Sequence, residues 1–140
     1  MTRHALFSLC LLCCLALPLP AAAQDSASAP ARPAIDSELL SAYAAGQPVF
    51  TLLDARSPDE FAGGHVAGAV NVPHDDLGAH LAVLPEDKSA PVLVYCRSGR
   101  RAGLLVSELA ELGYTGARVL PSEQLDYGED EITFITDGGH

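Results

Sequence analysis

Apolar residues along the chain fall into short continuous runs that are separated by stretches with helical spacing. Four runs predict strands, at 49–53, 69–72, 92–95 and 118–120. In the stretches between them, apolar residues recur every three or four positions, as on one face of a helix. The predicted order is α, β, α, β, α, β, α, β. This order indicates an α/β fold with a mainly parallel central sheet, helices on both faces and a ligand site at the carboxyl ends of the strands.

Local signals mark where the helices begin and end. Asp36 is a candidate N-cap for the first helix, Ile35 is placed to pack on Leu40, and Gly46 ends the helix. The residues 57–60 form a capping-box sequence with proline at the first helical position. The last two predicted helices each carry three leucines on one side: Leu77, Leu81 and Leu84, then Leu105, Leu109 and Leu112.

The N-terminal residues have the layout of a secretory signal peptide. Arg3 and His4 form a short basic start, an apolar stretch covers 5–17, and Ala21 to Ala23 supply small residues for cleavage. We therefore expect a signal peptide at 1–23, a linker at 24–34, a folded domain at 35–120 and an acidic C-terminal segment at 121–140. The layout predicts a periplasmic or secreted protein that has no membrane contact after cleavage.

Composition limits the domain count and the partners. The chain has 140 residues, of which 49% are hydrophobic, so it can bury one ordinary core. Its 8 Lys and Arg against 18 Asp and Glu give a net charge of -10. Because nucleic acids and anionic membrane surfaces bind basic faces, this charge argues against both as partners.

Cys96 is the only cysteine that remains once the predicted signal peptide is removed, so the mature chain has no intramolecular disulfide. A lone thiol in an oxidising compartment is either buried as a small hydrophobic side chain or used in chemistry. Cys96 follows the predicted strand 92–95 and precedes a helix. Backbone N–H groups and the positive end of the helix dipole stabilise a thiolate at such a position. We expect an exposed loop thiol that acts as a nucleophile.

Three arginines, Arg97, Arg100 and Arg101, lie within five residues of this cysteine. Cations at a helix N-terminus oppose the dipole and cost stability, which suggests that a bound anion offsets the cost. Ser98 completes the loop, and Gly99 allows the backbone to turn tightly around the sulfur. The loop 97–101 is therefore a candidate anion-binding site.

Three motifs in order resemble a single-domain rhodanese of the small exported bacterial type. They are Leu53-Asp54-Ala55-Arg56 with Glu60-Phe61, the run from Gly63 to Pro73, and Val94-Tyr95-Cys96-Arg97-Ser98-Gly99-Arg100-Arg101-Ala102. The resemblance implies a thiosulfate sulfurtransferase in which Cys96 forms a persulfide. It implies a small anionic sulfur donor and a thiol or cyanide acceptor, with Arg100 or Arg101 holding the donor's oxyanion and the loop N–H groups of 97–101 stabilising the persulfide.

Other residues of these motifs are expected to support the site. Ion pairs at strand ends are usually structural, so we expect Arg56 to contact Asp54 or Glu60 and to orient the loop. His65 is expected to brace its own loop. His65, His74 and His80 offer metal-ligand types together with Cys96, yet no spacing matches a zinc signature. We therefore expect neither a metal nor a cofactor.

Alternatives remain open at this level. A cysteine phosphatase or arsenate reductase needs Arg at the sixth position after the cysteine, where this chain has Ala102 and the arginine comes one residue earlier. A non-catalytic persulfide carrier that serves a protein sulfur acceptor, or a redox-sensing module, fits the same motifs. Ala67 replaces the proline of many rhodaneses, and Pro121-Ser122-Glu123 replaces their usual Gly-Gly turn. Residues 121–140 could supply a substitute edge strand and a tail.

Overall fold

The computed structural model describes residues 34–136. The predicted signal peptide, 1–23, lies outside the described residues, as does the predicted linker, 24–34, except for its last residue. The helices are α1 (Ser37–Ala44), α2 (Pro58–Ala62) and α3 (Arg100–Glu111), with 3₁₀ helices at Leu77–Val83 and Ser122–Gln124. The strands are β1 (Thr51–Asp54), β2 (Val70–Asn71), β3 (Val92–Tyr95), β4 (Ala117–Val119), β5 (Leu125–Tyr127) and β6 (Ile132–Phe134).

Four strands form a parallel sheet in the order β2-β1-β3-β4, so the predicted fold class is confirmed. The register pairs Asp54 of β1 with Tyr95 of β3 and with Asn71 of β2. Because all the strands run the same way, their carboxyl ends meet at one edge of the sheet. This edge brings the end of β1 next to Cys96, which follows β3 directly.

The sheet is covered on both faces by separate apolar clusters. Alternate residues of a strand point to opposite faces, so Leu52, Leu93 and Tyr95 enter one cluster with Leu40 of α1. The other cluster contains Leu53 of β1 and Val94 of β3. It also contains side chains of α3, of the 3₁₀ helix Leu77–Val83 and of the residue that caps that helix: Leu77, Leu84, Ala102, Leu105 and Leu109. Helices on both faces were predicted, and this arrangement confirms them.

The caps predicted for the N-termini of α1 and α2 are present in the structure. The Asp36 side chain accepts a hydrogen bond from the Glu38 N–H at 2.8 Å, and α1 ends at Ala44, two residues before Gly46. Ser57 and Glu60 form the reciprocal capping box that begins α2, with Pro58 as its first residue. Ile35 and Leu40 share the cluster on the α1 face.

Two leucines predicted on the packed side are exposed instead. Leu81 is 49% exposed and Leu112 is 43% exposed. The segment Leu77–Val83 is a 3₁₀ helix and not an α-helix. Its three residues per turn rotate Leu81 away from the face that holds Leu77. Leu112 caps the C-terminus of α3, beyond the face on which Leu105 and Leu109 are buried.

The C-terminal segment forms a hairpin of its own. β5 and β6 pair antiparallel as a second sheet, so the expected substitute edge strand is wrong. Leu125 and Ile132 are 4% exposed each and belong to the cluster on the α1 face. Gln124 fixes the hairpin to the start of the domain, because its side chain accepts from the Ile35 N–H at 2.7 Å and donates to the Ile35 carbonyl at 2.8 Å. The folded unit therefore extends past residue 120.

Truncation of the chain after Leu120 is expected to lower the melting temperature, since it removes the buried side chains of the hairpin. Ile132→Ala should reproduce much of the loss, with a fall of about 2–4 kcal/mol in the free energy of unfolding. Ile135→Ala is the matched control because Ile135 is 49% exposed. Denaturant unfolding of the three variants tests this expectation. Equal stability of Ile132→Ala and Ile135→Ala would contradict it.

Within residues 34–136, no helix is both long and apolar enough to cross a membrane.

Candidate active site

Cys96 lies at the carboxyl end of the central strand β3, with its side chain among the apolar residues on the α3 face. Its Sγ accepts hydrogen bonds from the Gly99 N–H at 3.1 Å and from the Ala102 N–H at 3.3 Å. These are N–H groups at the beginning of α3, which have no partner within the helix. The sulfur therefore lies where the sequence predicts an anion-stabilising environment.

The expectation of an exposed thiol is wrong, since Cys96 is 0% exposed. The strand alternation that buries Val94 also directs Cys96 into the cluster on the α3 face, where it lies with Ala102 and Leu105 of α3. Access to Sγ therefore requires the groups that surround it to move.

Gly99 makes the tight turn of this loop possible. It is the N-cap of α3 and has φ of 83°, in the left-handed region that favours glycine. This conformation turns the chain back toward Cys96, so that the Gly99 N–H reaches the sulfur. At the neighbouring position, Ser98 Oγ accepts from the Arg100 N–H at 3.4 Å.

The three arginines of the loop have different surroundings. Arg101 makes a bidentate pair with Glu60, with Nη1 to Oε2 at 2.6 Å and Nη2 to Oε1 at 3.0 Å. Arg97 is exposed, and its guanidinium lies over the Tyr127 ring at 4.8 Å from the centroid. Arg100 is exposed at the first residue of α3. The sequence predicted these three cations as one group, and the structure gives each of them different contacts.

Asp54 and Arg56 form a buried pair beneath the site. Arg56 Nη2 donates to Asp54 Oδ2 at 2.6 Å, and Nε donates to Oδ1 at 3.0 Å. Burial acts to lower the pKa of Arg56, but the hydrogen bond and the charge of Asp54 outweigh it and raise the pKa. Of the two expected partners, Arg56 contacts Asp54, and Glu60 binds Arg101 instead.

Tyr95 and Asn71 extend this network, and sequence reasoning did not single them out. The Tyr95 hydroxyl donates to Asp54 Oδ2 at 2.8 Å and accepts from the Val66 N–H at 3.1 Å. Its burial is the main cause of a raised pKa. Asn71 Nδ2 donates to the carbonyls of Asp54 and Arg56 at 3.1 and 3.0 Å. Polar residues at the ends of adjacent parallel strands were the signal that could have identified both.

His65 packs on α2 rather than on the cysteine loop. Its Nδ1 lies 2.8 Å from the Phe61 carbonyl oxygen, and its ring stacks on the Phe61 ring at a centroid distance of 3.7 Å. The carbonyl of the preceding residue, Gly64, accepts from Arg56 Nη2 at 2.7 Å. In the described part of the chain, no three His, Cys, Asp or Glu residues are grouped so that they could hold a metal ion.

The Glu60–Arg101 pair predicts an acid-sensitive step in stability. The hydrogen bond from Arg101 lowers the pKa of Glu60 from 4.5 to about 2. Because the folded-state pKa is the lower one, Glu60 contributes stability above pH 4.5, and this contribution is lost as the pH falls through about 2. Glu60→Gln should reduce the slope of melting temperature against pH in that window. Identical slopes for the two proteins would contradict the assignment.

The family model for the rhodanese-like domain matches residues 36–122. The chain belongs to the rhodanese-like family. The match covers all four strands of the parallel sheet, the loop after Cys96 and the Asp54 network, and it ends before the hairpin β5–β6.

Individual relatives agree with this assignment. The thiosulfate sulfurtransferase PspE of Escherichia coli is 38% identical over 71 residues, which are 49% of this chain and 68% of that protein. The protein YqhL of Bacillus subtilis is 37% identical over 73 residues, 52% of this chain and 56% of YqhL. The human single-domain sulfurtransferase TSTD1 superposes with a TM-score of 0.54 at 29% identity, covering 64% of this chain and 89% of TSTD1.

Proposed function

We propose that this rhodanese-like protein transfers sulfane sulfur from thiosulfate, or a related donor, to a thiophilic acceptor through a persulfide on Cys96. The observation that carries the proposal is the pair of N–H donors, from Gly99 and Ala102, on Sγ at the N-terminus of α3. Donors fixed in this way stabilise negative charge on sulfur without having to reorient during the reaction. The name of PspE, a thiosulfate sulfurtransferase, supports the choice of donor.

The reaction has two steps. In the first, the Cys96 thiolate attacks the outer sulfur of thiosulfate, an S–S bond forms, and sulfite leaves with the electron pair of the broken S–S bond. In the second, cyanide or a thiolate attacks the terminal sulfur of the persulfide, and the Cys96 thiolate leaves. With cyanide the product is thiocyanate. The attacking cyanide or thiolate supplies the electron pair of the new bond to sulfur, so the two steps balance without an external oxidant or reductant. The proposed steps use neither a metal nor a cofactor.

Positive charge at the loop would hold the anionic donor. Arg100 is exposed at the start of α3, whereas the guanidinium of Arg101 is already bound to Glu60. We therefore assign donor binding to Arg100 and the bracing of the loop to Arg101. Asp54 and Arg56 form a buried ion pair at the carboxyl ends of β1 and β3. We assign them the support of these strand ends, because a charge-assisted hydrogen bond is strong where water is excluded.

The decisive experiment combines mass spectrometry with turnover. After incubation with thiosulfate, the peptide that contains Cys96 should gain about 32 Da, the mass of one sulfur atom held covalently. Subsequent cyanide should remove the added mass and release thiocyanate. An enzyme should repeat this cycle many times, whereas a persulfide carrier should load once and wait for a protein acceptor. Absence of the adduct with every sulfane donor tested would refute sulfur transfer.

We also propose that the protein is exported, on the basis of the N-terminal sequence pattern alone. Expression of the full chain in a bacterium, followed by fractionation and N-terminal sequencing, tests this proposal. The mature protein should begin at or near Gln24 and appear in the periplasm or the medium. A full-length N-terminus in the cytoplasm would overturn it.

A further inference from the structure

Tyr127 brings the C-terminal hairpin into contact with the cysteine loop. It lies at the end of β5, and its hydroxyl donates to the Cys96 carbonyl oxygen at 2.7 Å. The residues that match the family model end at 122, so this contact comes from a part of the chain that the family assignment does not cover. A hydrogen bond to the Cys96 carbonyl fixes the peptide group from which the whole loop starts.

The same ring holds Arg97. The guanidinium of Arg97 lies over the Tyr127 ring, 4.8 Å from its centroid. Stacking on an aromatic ring stabilises a guanidinium and restricts its rotamers while leaving its N–H groups free to bind an anion. A side chain that is already restricted loses less entropy when an anion binds.

We propose that Tyr127 is a positioning residue with two contacts: its hydroxyl holds the Cys96 carbonyl so that the loop is in place for reaction, and its ring holds the Arg97 guanidinium so that Cys96 reacts preferentially with anionic reagents. The proposal rests on the proposed function only for the identity of the natural reagent, an anionic sulfur donor. Arg100 and Arg97 then have separate parts: Arg100 attracts the donor from solvent, and the restrained Arg97 discriminates by charge.

The surroundings of Tyr127 suit this part. The pKa of Tyr127 is raised to about 12, mainly by burial and secondly by the negative charge of Cys96. Tyr127 therefore remains protonated at neutral pH, and its hydroxyl remains a donor.

The hairpin is anchored well enough to position a side chain. Two buried side chains flank Tyr127 in the hairpin. Leu125 lies two residues before it in β5, and Ile132 is the residue of β6 that pairs with Tyr127. The turn between the strands packs closely against Gly64, where an added Cβ would lie 2.8 Å from the Asp130 carbonyl oxygen. Gly64 has φ of 145°, and its carbonyl accepts from Arg56. Gly64 therefore contacts the hairpin on one side and the Asp54–Arg56 pair on the other.

Alkylation of Cys96 in the full chain measures the charge preference directly. Iodoacetate is anionic and iodoacetamide is neutral, and in both reactions the thiolate bonds to the methylene carbon while iodide leaves. Mass spectrometry of the Cys96 peptide separates this cysteine from the other three. The ratio of the two rates cancels any change in the accessibility or ionisation of the thiol that affects both reagents alike.

Tyr127→Leu should lower the iodoacetate-to-iodoacetamide ratio by about three- to tenfold, the factor that corresponds to one contact of this kind. Arg97→Gln should lower it by a similar factor. The double variant should be no lower than either single one, because one substitution removes the guanidinium and the other removes the ring that restrains it. Tyr114→Leu is the matched control, since Tyr114 also carries a cation over its ring, Lys88, but lies away from the loop. It should leave the ratio unchanged.

Tyr127→Phe tests the hydroxyl separately and keeps the ring under Arg97. This variant should retain the wild-type alkylation ratio, while its single-turnover loading by thiosulfate should slow by about three- to tenfold, the size of one net hydrogen bond. Tyr114→Phe should load at the wild-type rate. Because Tyr127→Phe removes one oxygen atom only, it keeps the proposal testable even if Tyr127→Leu fails to fold.

The outcomes separate the two proposals. A wild-type ratio in folded Tyr127→Leu, or additive effects of Tyr127→Leu and Arg97→Gln, would overturn the positioning of Arg97. Wild-type loading of Tyr127→Phe would overturn the part of the hydroxyl. If the wild-type protein itself takes no sulfur from thiosulfate, the proposed function fails, and the alkylation ratio still decides the effect of Tyr127 on charge preference.

Discussion

Cys96→Ser is expected to abolish sulfur transfer and to leave the fold intact. A serine hydroxyl is a far weaker nucleophile than a thiolate at neutral pH, and it cannot carry a persulfide. Its oxygen can still accept the hydrogen bonds that Gly99 and Ala102 donate to Sγ. The buried polar groups therefore remain satisfied, and the free energy of unfolding should change by only about 1 kcal/mol.

Cys96→Ala provides the matched comparison. It removes the nucleophile as well, but it leaves both N–H groups without their acceptor in a site with 0% exposure. The resulting loss of stability should be larger, about 1–3 kcal/mol. Both variants should lack the sulfur adduct and thiocyanate release, and only Cys96→Ala should melt clearly lower. Turnover by either variant would remove Cys96 from the mechanism.

Strand and helix signals in the sequence were enough to predict the sheet and the position of Cys96 in it. The buried run 92–95, followed by a glycine and a helical pattern, places Cys96 at a strand end and a helix beginning. These are local features, so they can be recognised from neighbouring residues. The capping box at Ser57 and Glu60 is local in the same sense, and the structure contains it.

The features that were missed depend on residues far apart in the chain. Glu60 pairs with Arg101 across 41 positions, and Tyr127 reaches the Cys96 carbonyl across 31. Charge and spacing alone could not choose between Arg56 and Arg101 as the partner of Glu60. The burial of Cys96 was missed for the same reason, because its cover is formed by the packing of α3 on the sheet.

The pairing of Arg101 changes what charge reversal in the loop should do. Arg100 and Arg101 were equivalent candidates for binding the oxyanion on the basis of sequence. In the structure, Arg101 has a carboxylate partner and Arg100 is exposed. The two Glu substitutions should therefore affect different measurements, donor affinity in one case and stability in the other.

Arg100→Glu should raise the KM for thiosulfate by about three- to tenfold, since it replaces an attractive charge at an exposed site with a repulsive one. Arg100→Gln should fall between this variant and the wild type. The difference between the variants should shrink as added salt screens the loop, because exposed charges lose most of their interaction beyond the Debye length. Melting temperatures should stay close to that of the wild type. An unchanged KM in Arg100→Glu would remove Arg100 from donor binding.

Arg101→Glu should instead lower the melting temperature, because it places two carboxylates together where the bidentate pair with Glu60 stood. The pair is partly exposed, so solvent screening limits the cost to about 1 kcal/mol, or about 4–8 °C for a domain of this size. Adding Glu60→Arg to Arg101→Glu restores opposite charges and should recover most of the melting temperature. A variant that merely lost an anion-binding cation would show a raised KM, normal melting and no recovery by the second substitution. That pattern would return Arg101 to the donor site and leave the loop without its brace from α2.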